Sequence, residues 1–422
     1  MAATPEISEP TQRLSLTALI LTSIYTLGVN AVWLSYNLFI LPVQVQSVTS
    51  ESNKGIVLGV LVGGAIGFAV IVNIIAGIIS DHSNSRFGRR RPMLIWGMVL
   101  TLPFILLPVF FPLTLFTVCL AFLGIQIFTN VSSGTFQPTL ADFVPEDQRG
   151  TSAGFKGVFT LIGSAIGVGV ITALFAANLA KAAYIMIAAV FALTTLINAY
   201  AMRPYDKPLL SAKPLKWKEV LLDMFRFQKQ TNGFYWFIFG SFLIYMGVSG
   251  FQFFGVYYIE TILHITRPDA VARAIQISGL LGLLVSIVFA LLAGYLSDKY
   301  GRRNIIIISV LLAGIVGLFF PFAKTFAIFL FFSTLYSASN GVILSVGTAF
   351  TSDLVPLEEA GKYMAYANLA IGAANGFAPP IFGLILNYQG APNQTSFLIF
   401  FFVSAAFFVF SSIVIALKVP NK

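Results

Sequence analysis

Gly77-Ile-Ile-Ser-Asp81, followed by Gly88-Arg89-Arg90, recurs later in the chain as Gly294-Tyr-Leu-Ser-Asp298 with Gly301-Arg302-Arg303. The first copy holds four extra residues between its aspartate and its second glycine. A different pair follows in the same order: Asp142-Phe-Val-Pro145-Glu146-Asp147-Gln-Arg-Gly150, then Asp353-Leu-Val-Pro356-Leu-Glu358-Glu359-Ala-Gly361. Two unrelated motifs repeating in register mean that the two halves of the chain are copies of one unit.

Each motif closes an apolar run. Reading outward, such runs fall near 15–43, 55–80, 92–111, 113–138, 151–176 and 181–202, and again near 233–259, 271–297, 304–322, 326–350, 361–386 and 395–417. Each meets the requirement of about 20 apolar residues for a membrane span. Composition agrees, with 57% hydrophobic and 10% charged residues, against about 25% charged in a soluble domain. Lipid, not a polar shell, must solvate such a surface. The expected fold is an all-α membrane protein of twelve transmembrane helices in two pseudo-symmetric six-helix bundles. Its expected domains are an N-terminal bundle (1–202), a linker (203–230) and a C-terminal bundle (231–422). The linker holds Lys216, Trp217, Lys218, Leu221, Leu222, Phe225 and Arg226, a pattern that predicts a short amphipathic helix at the interface. The long first and seventh runs are expected to tilt or bend, and Pro379-Pro380 to kink the eleventh.

Charge sets the orientation. With both termini inside, the cytoplasmic segments hold 20 of the 25 Lys and Arg, counting Arg149 and Lys156 with the loop before the fifth run. That asymmetry obeys the positive-inside rule and places both termini in the cytoplasm of a plasma-membrane protein. It also removes the nucleic-acid reading that a pI near 9.5 invites, because the bases do not form one soluble face. The single cysteine, Cys119, lies in an apolar run.

Four aspartates stand at the cytoplasmic ends of even-numbered helices. An acid there opposes the helix dipole by about 0.3–1 kcal/mol, so each needs a cation. The arginines one loop away supply charge-assisted hydrogen bonds. Gly77 and Gly294 remove side chains where helices 2 and 8 are expected to approach the opposite half. The expectation is a cytoplasmic latch between the bundles, built from Gly77, Asp81, Arg86, Gly88, Arg89, Arg90, Asp142, Asp298, Gly301, Arg302 and Asp353.

The repeated Gly-x-x-x-Asp…Gly-Arg-Arg signature over two six-helix halves resembles the major facilitator superfamily, across essentially the whole chain. The longer first loop, Ser80 to Pro92 with Arg86-Phe87-Gly88-Arg89-Arg90-Arg91, and the Leu140-Ala141-Asp142 run are similar to the sucrose carriers and the related glycoside–pentoside–hexuronide cation symporters. The resemblance implies cation-driven uptake of a disaccharide by alternating access. The sequence departs from that group at its ion sites. Ala69 and Asn73 stand where the sodium-coupled members hold acids, and Gln126 and Gln137 where the plant-type carriers hold an acid and an arginine.

The superfamily places its substrate between the halves, on helices 1, 4, 7 and 10. Polar stripes occur there at helical spacing. They comprise Asn30, Trp33 and Asn37; Gln126, Asn130 and Gln137; Tyr245 and Gln252; and Tyr336 and Asn340, with Asn368 on helix 11. Neutral amides within a membrane demand a partner or a wet cavity, and amides with aromatic faces suit a neutral polyol. No carboxylate stands at mid-membrane, so Glu260, near an outer helix end, is the candidate for proton coupling.

The expected function is secondary transport of a small neutral solute, a sugar or glycoside. The competing readings are a drug or lipid exporter of the same superfamily, favoured by 42 phenylalanines, a uniporter, and a non-transporting receptor. With two histidines, no metal-spaced cluster and no Gly-x-x-x-x-Gly-Lys-Ser/Thr, neither an enzyme nor a nucleotide-driven pump is expected. The expected partners are the solute, membrane lipids and a coupling proton, with no cofactor, no metal and no nucleic acid. The chain is expected to act as a monomer.

Overall fold

A computed structural model describes residues 13–206, 233–355 and 360–420. Among them, twelve helices are long and apolar enough to cross a membrane. They are α1 (Leu16–Val48), α2 (Lys54–Asp81), α3 (Arg91–Phe110), α4 (Leu115–Phe143), α5 (Asp147–Ala176) and α6 (Ala180–Ala201). The second six are α7 (Phe234–Ile262), α8 (Pro268–Ser297), α9 (Arg302–Phe322), α10 (Phe326–Asp353), α11 (Tyr366–Leu386) and α12 (Gln394–Lys418). The expected amphipathic linker helix lies outside the described residues.

Local chemistry sets several boundaries. Thr114 and Thr117 form a capping box at the start of α4, and Asn393 and Ser396 form another at α12, satisfying the first free N–H groups. Pro138 cannot donate a helical hydrogen bond. The helix of α4 therefore pauses after Phe136 and resumes over Thr139–Phe143, which carries Asp142. Within α1, a π-helical turn over Tyr36–Ile40 breaks the regular winding, a common site of bending. Around Pro379-Pro380 the helical assignment runs unbroken over Ala360–Leu386. At α5 the helix begins at Glu146, directly after Pro145, several residues before the expected start at 151. Lys156, within the expected run but counted with the cytoplasmic charges, lies inside this helix.

The described residues cluster into two compact units. The first takes 13–35, 68–174 and 179–206; the second takes 36–67, 175–178, 233–355 and 360–420. In the first, Gly134 brings α4 against the backbone of Asn73, and Gly163 brings α5 against that of Leu27. Backbone contact of this kind is how helices associate where lipid offers no hydrophobic drive.

The second unit contains the last six helices together with residues 36–48 of α1 and 54–67 of α2. The reason is visible in α2. Gly55, Gly59 and Gly63 form a bare ridge that meets Pro379, Pro380 and Gly383 of α11. Tyr257 Oη donates to the Pro42 carbonyl at 3.1 Å. Deeper in the unit, Phe251, Tyr258, Phe320, Tyr336 and Phe401 form an aromatic cluster with ring centroids 4.9–6.1 Å apart. Ser404 and Ser411 of α12 donate to the Gly247 and Gly240 carbonyls of α7. Large apolar side chains such as Phe68, Trp96 and Phe116 are exposed, as lipid-facing surfaces require.

Candidate functional site

The first repeated loop is organised around a turn. Gly88 has φ +108°, a left-handed conformation that glycine adopts without strain. Its N–H reaches Ser85 O at 3.1 Å, and a Cβ there would strike Asp206. The turn delivers three successive N–H groups, of Arg89, Arg90 and Arg91, onto the Asp206 carboxylate at 2.8–3.0 Å. Asp206 is 3% exposed. Backbone donors converge on this buried anion, and Arg91 Nε lies 3.6 Å from it.

With the backbone fixed, the side chains close a network. Arg90 Nε donates to Asp142 Oδ2 at 2.9 Å, and Arg89 Nη2 lies 2.5 Å from the same oxygen. Arg90 also pairs with Asp81 and donates to Ser80 Oγ and the Gly77 carbonyl. One guanidinium thus ties α2, α3 and α4. Arg86 does not join them: its guanidinium lies over the Phe87 ring at 4.7 Å and is exposed.

In the second copy Gly301 has φ +88°, matching Gly88, and Arg302 meets Asp353 at 2.8 Å. Arg303 turns to the Ala416 carbonyl. The Asp298 side chain lies outside the described residues. Each described pair closes inside its own unit, so these charges tie helices of one bundle together.

The polar stripes divide in the same way. In the first unit, Asn30 Nδ2 donates to Thr26 O at 2.7 Å and to Thr160 Oγ1 at 3.5 Å. Trp33 Nε1 reaches Thr129 Oγ1 at 3.4 Å. Asn130 donates to the Gln126 carbonyl and accepts from Asn73 at 3.2 Å. Gln126 is buried. Gln137 is exposed where the first helix of α4 ends and takes no part in this cluster. In the second unit, Ser249 donates to the Tyr245 carbonyl at 2.7 Å and to Asn375, and Tyr245 and Asn368 line one small pocket. Tyr336 belongs to the aromatic cluster, and Asn340 donates back to its carbonyl. Asn37 Oδ1 is buried without a hydrogen bond among the described residues. Gln252 is half-buried.

At the opposite end of α2, Lys54 is 3% exposed and lies between Glu51 at 2.7 Å and Glu260 at 3.6 Å, above the Tyr257 ring. Glu260 is therefore a mostly buried, paired acid. Among the described residues, no group of three or more His, Cys, Asp and Glu is placed to hold a metal ion.

Two residues escaped the sequence reading. Asp206 stands alone in a segment read as a linker, and no spacing rule joins it to Gly88. Lys156 lies within the expected run 151–176, but its charge was counted with the cytoplasmic loop.

Comparison with known proteins bounds the identity. The chain is 31% identical over 98 residues to the MFS-type transporter clz19 of Cochliobolus lunatus, a match that covers 23% of this chain and 19% of that protein. The chain thus spans about a fifth of the length of the first relatives it matches. It is 26% identical to a Na(+), Li(+), K(+)/H(+) antiporter of Planococcus maritimus, covering 78% of this chain and 81% of that one. The crystal structure of a D-xylose-proton symporter superposes with a TM-score of 0.68 at 19% identity, covering 96% and 97% of the two chains. The family model of the Major Facilitator Superfamily matches residues 18–289 and 274–422. Twelve apolar helices, a duplicated arginine loop and a match over almost the whole length make this chain a member of the major facilitator superfamily.

Proposed function

We propose that the protein is a secondary transporter of a small hydroxylated solute, a sugar or glycoside, working by alternating access in the plasma membrane with both termini in the cytoplasm. The observation that carries this reading is the set of amides and indole held inside spans α1, α2 and α4: Asn30, Trp33, Asn73 and Asn130. Such groups hydrogen-bond hydroxyls in either direction, while aromatic faces suit the apolar face of a sugar ring. Tyr245, Asn340 and Asn368 offer the same chemistry on the second unit. The Arg90–Asp142 network and the Arg302–Asp353 pair brace the helix ends that must move as rigid bodies. The likeness to a D-xylose-proton symporter supports the solute class.

A second reading, cation antiport, is favoured by the relative from Planococcus maritimus. It requires an acid in a span, and Glu260 beside Lys54 is the described acid that meets this need within the second unit. Proteoliposome uptake of radiolabelled disaccharide, with and without pH or sodium gradients, tests both. Gradient-driven sugar accumulation that disappears in Glu260→Gln supports proton symport. Equilibration unaffected by either gradient makes the protein a uniporter. Sodium-driven proton efflux with no sugar uptake moves the assignment to antiport.

A further inference from the structure

Lys156 is, among the described residues, the charged side chain deepest inside a span. It stands nine residues beyond Asp147, where α5 begins, about 14 Å along the helix axis. A lysine inside a membrane helix is by default a functional-site candidate, and its partner has to be named.

No anion among the described residues of its own unit serves it. The described acids there are engaged elsewhere: Asp81 and Asp142 by Arg89 and Arg90, Asp147 by Arg13 at 2.6 Å, and Asp206 by the loop N–H groups. The ammonium instead lies 4.4 Å from the centroid of the Phe136 ring. A ring face offsets only part of what leaving water costs an ammonium.

The position is directed at the polar cluster. Lys156, Thr160, Gly163 and Gly167 follow at helical spacing on one face of α5. That face meets α1: Thr26 Oγ1 donates to the Lys156 carbonyl at 3.2 Å, Asn30 reaches Thr160, and the two glycines abut Leu27 and Ala31. The next residue, Gly157, has open space around it: a methyl group there would touch nothing within 4 Å.

We infer that Lys156 is an anion-receiving subsite, whose ammonium binds a single carboxylate on the carried solute beside Phe136 and the Asn30 cluster. The inference rests on the sugar-transport reading and alters its charge class. A neutral solute was expected from the amide and aromatic stripes; a lysine inside the helix calls for a counter-charge. One cation is neutralised by one carboxylate, whereas a phosphate dianion leaves an uncompensated charge in apolar surroundings.

The test compares uptake of gluconate, glucose and glucose 6-phosphate into proteoliposomes by wild type, Lys156→Gln and Lys156→Arg. Melting temperatures of the purified proteins are measured with each compound. Wild type is expected to take up gluconate roughly tenfold faster than the other two. Lys156→Gln should erase that preference and Lys156→Arg should keep it. Equal handling of gluconate and glucose by wild type, or an unchanged preference in Lys156→Gln, overturns the subsite. Should Lys156→Gln fail to fold, loss of the preference in a folded Lys156→Arg also overturns it, and its retention supports it. If no sugar is carried but gluconate stabilises wild type and not Lys156→Gln, the subsite stands and the sugar-transport reading falls. With neither uptake nor stabilisation, the subsite falls as well.

Discussion

The two Gly-Arg-Arg loops share a turn and differ in what the turn holds. Both place glycine at positive φ, +108° at Gly88 and +88° at Gly301. In the first loop that turn wraps a carboxylate, Asp206, and launches Arg89 and Arg90 onto Asp142 and Asp81. In the second, the described contacts are Arg302 with a half-exposed Asp353 and Arg303 with a carbonyl. The repeat therefore conserves a backbone shape, while burial decides how strongly each copy is held.

The largest expected effect comes from removing the buried anion. Asp206→Ala leaves three N–H groups without their acceptor, and should cost about 3 kcal/mol or more. The detergent-solubilised protein should melt earlier, and a melting temperature equal to wild type would break the contrast between the loops. Next, Gly88→Ala adds a Cβ both at positive φ and into Asp206. It should cost about 2–3 kcal/mol, against about 1 kcal/mol for the positive-φ strain of Gly301→Ala. Equal melting shifts for the two would show that Asp206 contributes nothing to the difference.

Asp81→Asn tests transport more than stability. Asp142 still holds Arg90 in this variant, so the protein should insert and fold while uptake falls several-fold. Wild-type uptake would remove Asp81 from the moving parts. The smallest effect belongs to Arg302→Ala. A partly exposed pair is worth at most about 1 kcal/mol, so its melting shift should be well below that of Asp206→Ala.

Much of this was legible in the sequence. Hydropathy gave twelve spans because a bilayer leaves an apolar helix few alternatives, and the duplication was plain in Asp81, Asp142, Asp298 and Asp353. The first-loop network was half legible: Asp81, Asp142 and Arg90 are partners, but Arg86, the nearest arginine to Asp81 in sequence, stays outside. Asn30, Trp33 and Asn130 were found by their helical spacing. Gln137 satisfied the same spacing and is exposed, because Pro138 interrupts the helix just after it.

The sequence by itself determined the membrane class, the number of spans, the duplication and which loops carry the charge, since each follows from local composition and periodicity. Only the tertiary structure decided which charges meet. The closure of Asp206 over the Gly88 turn and the seating of Gly55, Gly59 and Gly63 of α2 on α11 both join residues distant in sequence. Such placements follow from backbone approach and burial, and no local pattern encodes them.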